Sequence, residues 1–245
     1  MDTELKGKTV FVAGASKGIG FGIARAFLAE GAKVCISGRG KDSLKDAEDS
    51  LAKEFGADNL LAVSGDMTAT DDLVRALDAT EDKLGPLWCA VANVGIGRAP
   101  MGFDISDEDW DADIAQNFTG SMRLAREAIR RMRGYGDADR EGASVIFISS
   151  IAGVDAMGTP LPYATTKAAL NHCACQLAKF VGKTGIRVNS IAPGNIMFEG
   201  GAWEKIVASD PDGWNAWIDR EVAMQRFGKV EEIADAAVFL ASRRA

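Results

Sequence analysis

Six short apolar runs, separated by segments of helical periodicity, constrain the fold of this 245-residue chain more than any other feature. The runs are rich in valine and isoleucine and occupy residues 9–13, 33–37, 60–64, 87–92, 144–149 and 186–192. They scarcely alternate between apolar and polar residues, which is typical of strands that are covered by helices on both faces of a parallel sheet. The alternation therefore predicts a single α/β domain over residues 1–245, with a doubly wound parallel sheet.

Composition excludes several classes of protein. The formal net charge of −7 disfavours a general nucleic-acid binder. The four cysteines form no Cys-x-x-Cys pair and His172 is the only histidine, so neither a zinc site nor a disulfide framework is expected. The N-terminus lacks the apolar segment of a secretory signal, and no run of about 18 apolar residues suggests a membrane span. We therefore expect a cytoplasmic protein that binds neither nucleic acid nor membrane.

A glycine-rich turn follows the first predicted strand, in the sequence GASKGIG. Gly14, Gly18 and Gly20 allow the backbone to approach a ligand closely, and the helix that follows presents its N-terminus to anions. In a doubly wound fold, this turn is where the pyrophosphate of a dinucleotide binds. The spacing differs from the commonest dinucleotide fingerprint, and a tight strand-to-helix turn without a ligand is the alternative.

The end of the second predicted strand indicates which dinucleotide binds. An acidic residue there would bind the ribose 2′-hydroxyl of NAD, whereas an arginine accommodates the 2′-phosphate of NADP. Arg39 occupies this place, and Lys17 in the glycine turn supplies a second cation. The alternative is that both are solvated surface charges. Asp66, after the third strand, is expected either to receive the adenine amino group or to cap the next helix.

Ser150, Tyr163 and Lys167 show the spacing of an enzyme family. Tyr163 and Lys167 are four residues apart, so one helical turn places both side chains on the same face. Ser150 precedes Tyr163 by thirteen residues. With these residues the chain resembles the short-chain dehydrogenase/reductase family and, in a general way, its 3-oxoacyl-carrier-protein reductases. Further motifs of the family follow its order along the chain: Asn93-Val94-Gly95, Asn117 in NFTG, Pro193-Gly194 and the segment RFGKVEEIADAAVFLAS.

The resemblance implies a Rossmann fold and hydride transfer between NADP(H) and a ketone or secondary alcohol. Tyr163 would move the proton on the substrate oxygen, and Lys167 would lower the tyrosine pKa, which is ordinarily near 10. Ser150 would donate a hydrogen bond to the substrate oxygen, and Asn117 would hold a water that links Lys167 to solvent. Taken singly, Ser150 could instead cap a strand end and Asn117 could be a polar helix residue; the joint spacing favours the catalytic interpretation.

The strand-end residues and the resemblance together predict a set of cofactor-binding residues, and no metal ligand is expected. The predicted set is Gly14, Ser16, Lys17, Gly18, Ile19, Gly20, Arg39, Asp66, Met67, Asn93, Gly95, Tyr163, Lys167, Pro193, Gly194 and Ile196.

Three positions depart from the family pattern. Ala13 stands where the family usually has threonine, and Ala92 stands where it has asparagine. Because the first and fourth strands are neighbours in this fold, we expect the two losses to compensate each other. Phe198 replaces a threonine and removes a hydrogen bond at the nicotinamide end of the site. Family members usually continue into a seventh strand, which the sequence up to Ala245 does not show.

The segment 197–226 is predicted to form a lid over the substrate. Its aromatic residues, Phe198, Trp203, Trp214 and Trp217, favour an apolar small-molecule ketone or alcohol, with packing within the lid as the alternative. Helices over about 104–133 and 161–182 are expected to pair across two-fold axes in a homodimer or homotetramer. A non-catalytic NADP-binding sensor is the main functional alternative, but Ser150, Tyr163 and Lys167 are all present.

Overall fold

The predicted alternation of strands and helices is present in a computed structural model, which describes residues 2–95 and 99–245. The strands are β1 (Thr9–Ala13), β2 (Lys33–Gly38), β3 (Leu60–Ser64), β4 (Leu87–Ala92), β5 (Ser144–Ile148) and β6 (Arg187–Ile191). The α-helices are α1 (Gly18–Ala29), α2 (Lys41–Phe55), α3 (Thr70–Leu84), α4 (Asp107–Ile114), α5 (Gly120–Gly134), α6 (Asp137–Arg140), α7 (Leu161–Val181), α8 (Ala202–Ser209), α9 (Pro211–Glu221) and α10 (Val230–Ala241).

The six strands form one parallel sheet in the order β3-β2-β1-β4-β5-β6. The chain builds outward from β1 in one direction, then returns and builds outward from β4 in the other. Loops that leave β1 and β4 therefore diverge, and they open a crevice at the carboxyl ends of the strands. The predicted doubly wound fold is confirmed.

The sheet separates two apolar cores. Phe11 of β1 packs in the core covered by α3, α5 and α7, whereas its neighbour Val12 packs in the core covered by α1, α2 and α10. Both faces of the central strands are fully buried, because successive side chains point to opposite faces. This two-sided burial explains why the strand sequences do not alternate in polarity.

Helices α4 and α5 are joined by a π-helical turn, Ala115–Thr119. Ser106 caps the N-terminus of α4, since its hydroxyl accepts a hydrogen bond of 3.1 Å from the backbone N–H of Asp109. Helix α7 begins beside two prolines, with Pro160 as N-cap and Pro162 in the first turn, where no backbone donor is needed. The two helices predicted over about 104–133 and 161–182 are thus both present, the first as α4, the π-turn and α5.

Two segments acquire helices that the sequence analysis did not specify. The segment 134–142 contains the four-residue helix α6, in which Arg140 pairs with Asp137 one turn earlier. The segment 197–226 contains α8 and α9, so the predicted lid is a pair of short helices.

The two alanines that depart from the family pattern face each other directly. Ala13 and Ala92 are partners in the register of β1 and β4, and each is 1% exposed. Partners in a parallel pair point to the same face, so a polar side chain at either position would be buried against the methyl group of the other. The two positions are therefore direct neighbours in the core, which supports the expected compensation, and the compensation itself stays a prediction.

Ala13→Thr should lower the free energy of unfolding by about 1–3 kcal/mol, because the buried hydroxyl would lack a partner. Adding Ala92→Asn should recover most of this loss by supplying that partner. Urea unfolding of both single variants and the double variant measures the coupling between the sites. Strictly additive losses would contradict the compensation.

Candidate active site

The predicted site residues lie at the end of the sheet where the strands have their carboxyl termini. Each group follows the end of a strand: the glycine turn follows β1, Arg39 follows β2 and Asp66 follows β3. Asn93 and Gly95 follow β4, Ser150 follows β5, and Pro193 and Gly194 follow β6. Tyr163 and Lys167 reach the same end from α7. The topology thus brings segments from the whole chain to one crevice.

The glycine turn forms a tight cradle. Gly14 and Gly18 adopt φ angles of 70° and 59°, which strongly favour glycine. A Cβ atom on Gly20 would lie 2.3 Å from the Gly14 carbonyl oxygen, so the helix could not approach the turn with a larger residue there. Asn93 Nδ2 donates a 2.8 Å hydrogen bond to the same carbonyl oxygen and fastens the turn to the end of β4. All three glycines are therefore required by the geometry.

The N-terminus of α1 is open to an anion. Lys17 occupies the N-cap position without a side-chain cap, and the first turn contains no acidic residue. The backbone N–H groups at this end therefore favour a negatively charged ligand such as a phosphate. Ile19, in the same turn, packs against the core beneath.

Arg39 lies beside the glycine turn. The backbone N–H of Ala15 donates a 2.9 Å hydrogen bond to the Ser37 carbonyl, which draws the turn against the end of β2. A Cβ atom on Gly38 would be 3.4 Å from Ser16 Cβ, so Ser16 and the Gly38–Arg39 segment are in close proximity. Arg39 itself is exposed. This corner combines a hydroxyl group with an exposed guanidinium group, which suits a phosphate monoester.

Asp66 organises the turn before α3. Its Oδ1 atom accepts hydrogen bonds from the backbone N–H of Thr68 at 2.9 Å and from the Thr68 hydroxyl at 2.8 Å. The N-cap of α3 is Ala69, so Asp66 is not the N-cap of the helix. Met67 is buried beneath this turn. Of the two expectations for Asp66, helix capping is wrong. Its carboxylate accepts its hydrogen bonds from Thr68, which precedes the N-cap of α3.

The three predicted catalytic residues, Ser150, Tyr163 and Lys167, converge between β5 and α7. Lys167 Nζ lies 5.6 Å from the centroid of the Tyr163 ring and donates a 2.9 Å hydrogen bond to the Ile148 carbonyl. The Ser150 side chain hydrogen-bonds Tyr163. A Cβ atom on Gly153 would lie 2.4 Å from the Lys167 carbonyl carbon, so the short 3₁₀ turn after Ser150 packs directly on α7. This contact fixes Ser150 relative to the helix.

Burial is the largest influence on the pKa of Lys167 and on that of Tyr163. It lowers the pKa of Lys167 to about 8, against the opposing effect of the Asp113 carboxylate. Burial also raises the pKa of Tyr163, whereas its hydrogen bond with Ser150 lowers it. Burial disfavours the charged phenolate form of Tyr163. The positive charge of Lys167 nearby would have to stabilise this phenolate for Tyr163 to ionise.

Asn117 and Lys167 face the same point in the crevice. A Cβ atom on Gly95 would lie 2.7 Å from Asn117 Oδ1 and 2.9 Å from Lys167 Nζ. The two polar atoms are thus close enough for one water molecule to bridge them, and only glycine fits between. Asn117 is fully buried in the π-helical turn, and its Nδ2 atom donates to Asp113 Oδ1.

The segment after β6 reaches across to the glycine turn. Pro193 receives a 3.0 Å hydrogen bond from the backbone N–H of Ile151, which places Gly194 near the catalytic motif. Ile196 is buried, and Phe198 lies over Gly18, where a Cβ atom would be 2.6 Å from the ring. The phenyl ring that replaces the expected threonine therefore contacts the glycine turn itself.

Asp113 also belongs to this site, although no sequence motif predicted it. The residue is 6% exposed and contacts Asn117, one helical turn later. An aspartate in the stretch DEDWDAD resembles its exposed neighbours, and only the Asp113–Asn117 spacing of four residues could have connected it to the motif.

Across the described part of the chain, no cluster of three His, Cys, Asp or Glu side chains is arranged to hold a metal ion. None of the described helices combines the length and apolar character that crossing a membrane requires.

Comparison with known proteins identifies the family. The profile of a family described as enoyl-(acyl carrier protein) reductase matches residues 14–245. A 3-oxoacyl-(acyl-carrier-protein) reductase of Chlamydia muridarum is 34% identical over 244 residues, which covers all of this chain and 94% of that protein. A glucose 1-dehydrogenase of Gluconobacter oxydans is 34% identical over 237 residues, or 96% of this chain and 85% of that protein.

The structure of L-sorbose reductase from Gluconobacter frateurii, complexed with NADPH and L-sorbose, superposes with a TM-score of 0.90 at 31% identity. The match covers 100% of this chain and 93% of that one. The chain therefore belongs to the short-chain dehydrogenase/reductase family and is an oxidoreductase. The resemblance stated from the sequence is confirmed.

The lowered pKa of Lys167 predicts a pH-dependent stability. Below pH 8 the folded protein holds a buried ammonium group, and the unfolded chain binds the proton more tightly up to its ordinary pKa of 10.5. Stability should therefore rise with pH between about 8 and 10.5, by on the order of 3 kcal/mol from this group.

Lys167→Met should abolish this contribution, whereas Lys179→Met, on the exposed face of the same helix, should retain it. Urea unfolding at several pH values gives the comparison. Identical pH slopes for wild type and Lys167→Met would refute the assignment.

Proposed function

We propose that this protein interconverts a ketone and a secondary alcohol by hydride transfer with NADP(H). The observation that carries the proposal is the convergence of Tyr163, Lys167 and Ser150 beside a glycine cradle. A proton-transferring group, a cation and a hydrogen-bond donor are the three elements that carbonyl reduction needs next to a hydride donor.

The residues of the glycine turn fit a dinucleotide. A Cβ atom would fill the cradle at Gly20, and the uncapped N-terminus of α1 favours a pyrophosphate. Arg39 and Lys17 would hold the 2′-phosphate, which carries about two negative charges near neutral pH. The NADPH complex of L-sorbose reductase, which superposes on the whole chain, further supports NADP(H) as the cofactor.

The bound reduced nicotinamide would supply the hydride. Tyr163 would donate its phenolic proton to the substrate oxygen, while Ser150 would stabilise the charge that develops there. Because the pKa of Lys167 is lowered only to about 8, its side chain is mainly protonated at neutral pH. Its positive charge would favour the phenolate after proton transfer. Asn117, on the other side of Gly95, would connect Lys167 to solvent through a water molecule.

Two observations bear on the polarity of the substrate. Trp203, Trp214 and Trp217 pack on one another, with ring centroids 5.5–6.0 Å apart, so packing within the lid accounts for these rings. Apolar side chains nevertheless remain exposed near the catalytic residues in sequence, including Val154 and Met157 between Ser150 and Tyr163. We therefore retain an apolar ketone or alcohol as the proposed substrate. Relatives named for glucose and L-sorbose make sugars the alternative class.

The exposed face of α7 supports a homo-oligomer. Small residues on this helix, among them Ala164, Ala168 and Ala169, are not buried within one chain. They would allow a second copy of the helix to approach closely across a two-fold axis. We propose that the helix-paired dimer is the basic assembly, alone or within a tetramer.

Arg39 should determine cofactor preference. NADPH should bind at least tenfold more tightly than NADH, about 1.4 kcal/mol, because the guanidinium pairs with the 2′-phosphate. Arg39→Asp should reverse much of this preference by repelling that phosphate. Lys53→Asp, an equal charge change at the far end of α2, should leave it unchanged. Fluorescence titration measures the affinity for NADPH and for NADH. Equal affinities in the unmodified protein would contradict the NADP(H) assignment.

Tyr163→Phe should leave NADPH binding nearly intact and lower kcat by at least about 1,000-fold, because only the proton donor is removed. Turnover is followed by nicotinamide absorbance with a panel of apolar ketones and ketoses. Tyr135 is the chain's other tyrosine, and Tyr135→Phe serves as the matched control with retained activity. A Tyr163→Phe variant with normal kcat on any accepted substrate would exclude this mechanism.

A further inference from the structure

The buried carboxylate of Asp113 lies in the catalytic region without a role in the mechanism described above. Asp113 and Lys167 are the two buried Lys, Arg, Asp or Glu side chains among the described residues, at 6% and 3% exposure. Burying a carboxylate is costly unless it is hydrogen-bonded or paired. Two groups that are expensive to bury therefore occur in the same site, on α4 and α7, which pack together.

The hydrogen bond between Asp113 and Asn117 fixes the direction of the asparagine amide. An ionised carboxylate can only accept hydrogen bonds, so the NH₂ group of Asn117 must face it. Asn117 Nδ2 accordingly donates to Asp113 Oδ1, and a backbone N–H, that of Ala99, also donates to this carboxylate. The opposite end of the amide, Oδ1, then points to the space beside Gly95, where Lys167 Nζ also lies.

The negative charge of Asp113 also influences the pKa of Tyr163 and that of Lys167. Within the described chain, the titratable groups that face one another here are Asp113 from α4 with Tyr163 and Lys167 from α7. The negative charge of Asp113 raises the pKa of Lys167 and that of Tyr163, although burial is the larger influence on both. Burial raises the pKa of Asp113 itself, and the Asn117 hydrogen bond opposes this.

We propose that Asp113 is a positioning residue of the reaction: its carboxylate holds the Asn117 carbonyl toward Lys167 and places a buried negative charge in the site. The inference rests on the proposed function. In ketone reduction both Tyr163 and Lys167 act in their protonated forms. Asp113 therefore keeps the reductive state of the site populated to higher pH than burial alone would allow.

A titration of Tyr163 tests the charge without any substrate. The chain has two tyrosines, so in a Tyr135→Phe background the near-ultraviolet tyrosinate signal reports Tyr163 alone. Adding Asp113→Asn should lower the midpoint of this titration, because it removes a negative charge that raises the pKa of Tyr163. Asp111→Asn removes an exposed carboxylate from the same helix and should not move the midpoint. An unchanged or higher midpoint in Asp113→Asn would overturn the proposal.

The pH profile of ketone reduction is the second measurement. Loss of the Asp113 charge lowers the pKa of both Tyr163 and Lys167, so the alkaline limb of kcat should move to lower pH whichever group controls it. Asp113→Glu keeps the charge and should restore the position of the limb, even where its longer side chain reduces kcat. A limb that stays in place in Asp113→Asn would refute the role, and Tyr163→Phe separately tests whether the proposed reaction occurs.

The orientation of Asn117 is tested by Asp113→Leu, which has no hydrogen-bond acceptor. Its kcat should fall about tenfold with little change in KM, and Asp113→Asn should lie between it and wild type because its carbonyl can still accept. A purely structural role predicts loss of thermal stability in these variants. Because burying a carboxylate is costly, we expect Asp113→Asn to melt at or above the wild-type temperature. A wild-type kcat in Asp113→Leu would contradict the positioning role.

Discussion

A buried ammonium group at the carboxyl end of β5 is the constraint on which the site depends. Lys167 is almost fully inaccessible, and its charge is compatible with burial because Nζ donates to the Ile148 carbonyl and lies near polar partners. Its position requires α7 to pack closely on the 3₁₀ turn after Ser150, which is possible because Gly153 lacks a side chain. The same requirement leaves room only for glycine at position 95. The buried charge of Lys167 thus constrains three segments: the end of β5 at Ile148, the 3₁₀ turn at Gly153 and the loop after β4 at Gly95.

The parallel sheet places these segments together. In a doubly wound sheet all strands have their carboxyl ends on the same side. Strands β2 and β3 lie on one side of β1, whereas β4, β5 and β6 lie on the other, so the strand order reverses between β1 and β4. The glycine turn and Asn93 follow these two central strands and are fastened by a 2.8 Å hydrogen bond. The glycine turn and Tyr163 therefore lie along one crevice, although they are separated by more than half of the chain.

The departures from the family pattern show how substitutions are accommodated locally. Ala13 and Ala92 are partners in one register, so the loss of a polar group on each side leaves no buried donor or acceptor unpaired between them. Phe198 is different, because its ring lies over Gly18 and fills space beside the cradle rather than replacing a hydrogen bond. The segment 197–226 therefore contacts the glycine turn through apolar packing and through the Lys17 hydrogen bond to the Gly200 carbonyl.

The sequence by itself determined the six strands, their two-sided burial and the spacing of Tyr163 and Lys167, because these are local patterns of hydrophobicity and helical period. Motifs such as the glycine turn and Arg39 could be interpreted because they occur at strand ends, where the fold dictates proximity. Tertiary structure alone decided that Asp113 is buried against Asn117, that Phe198 covers Gly18 and that the tryptophans of the segment 197–226 pack on one another. Each of these depends on contacts between elements whose relative orientation no local pattern encodes.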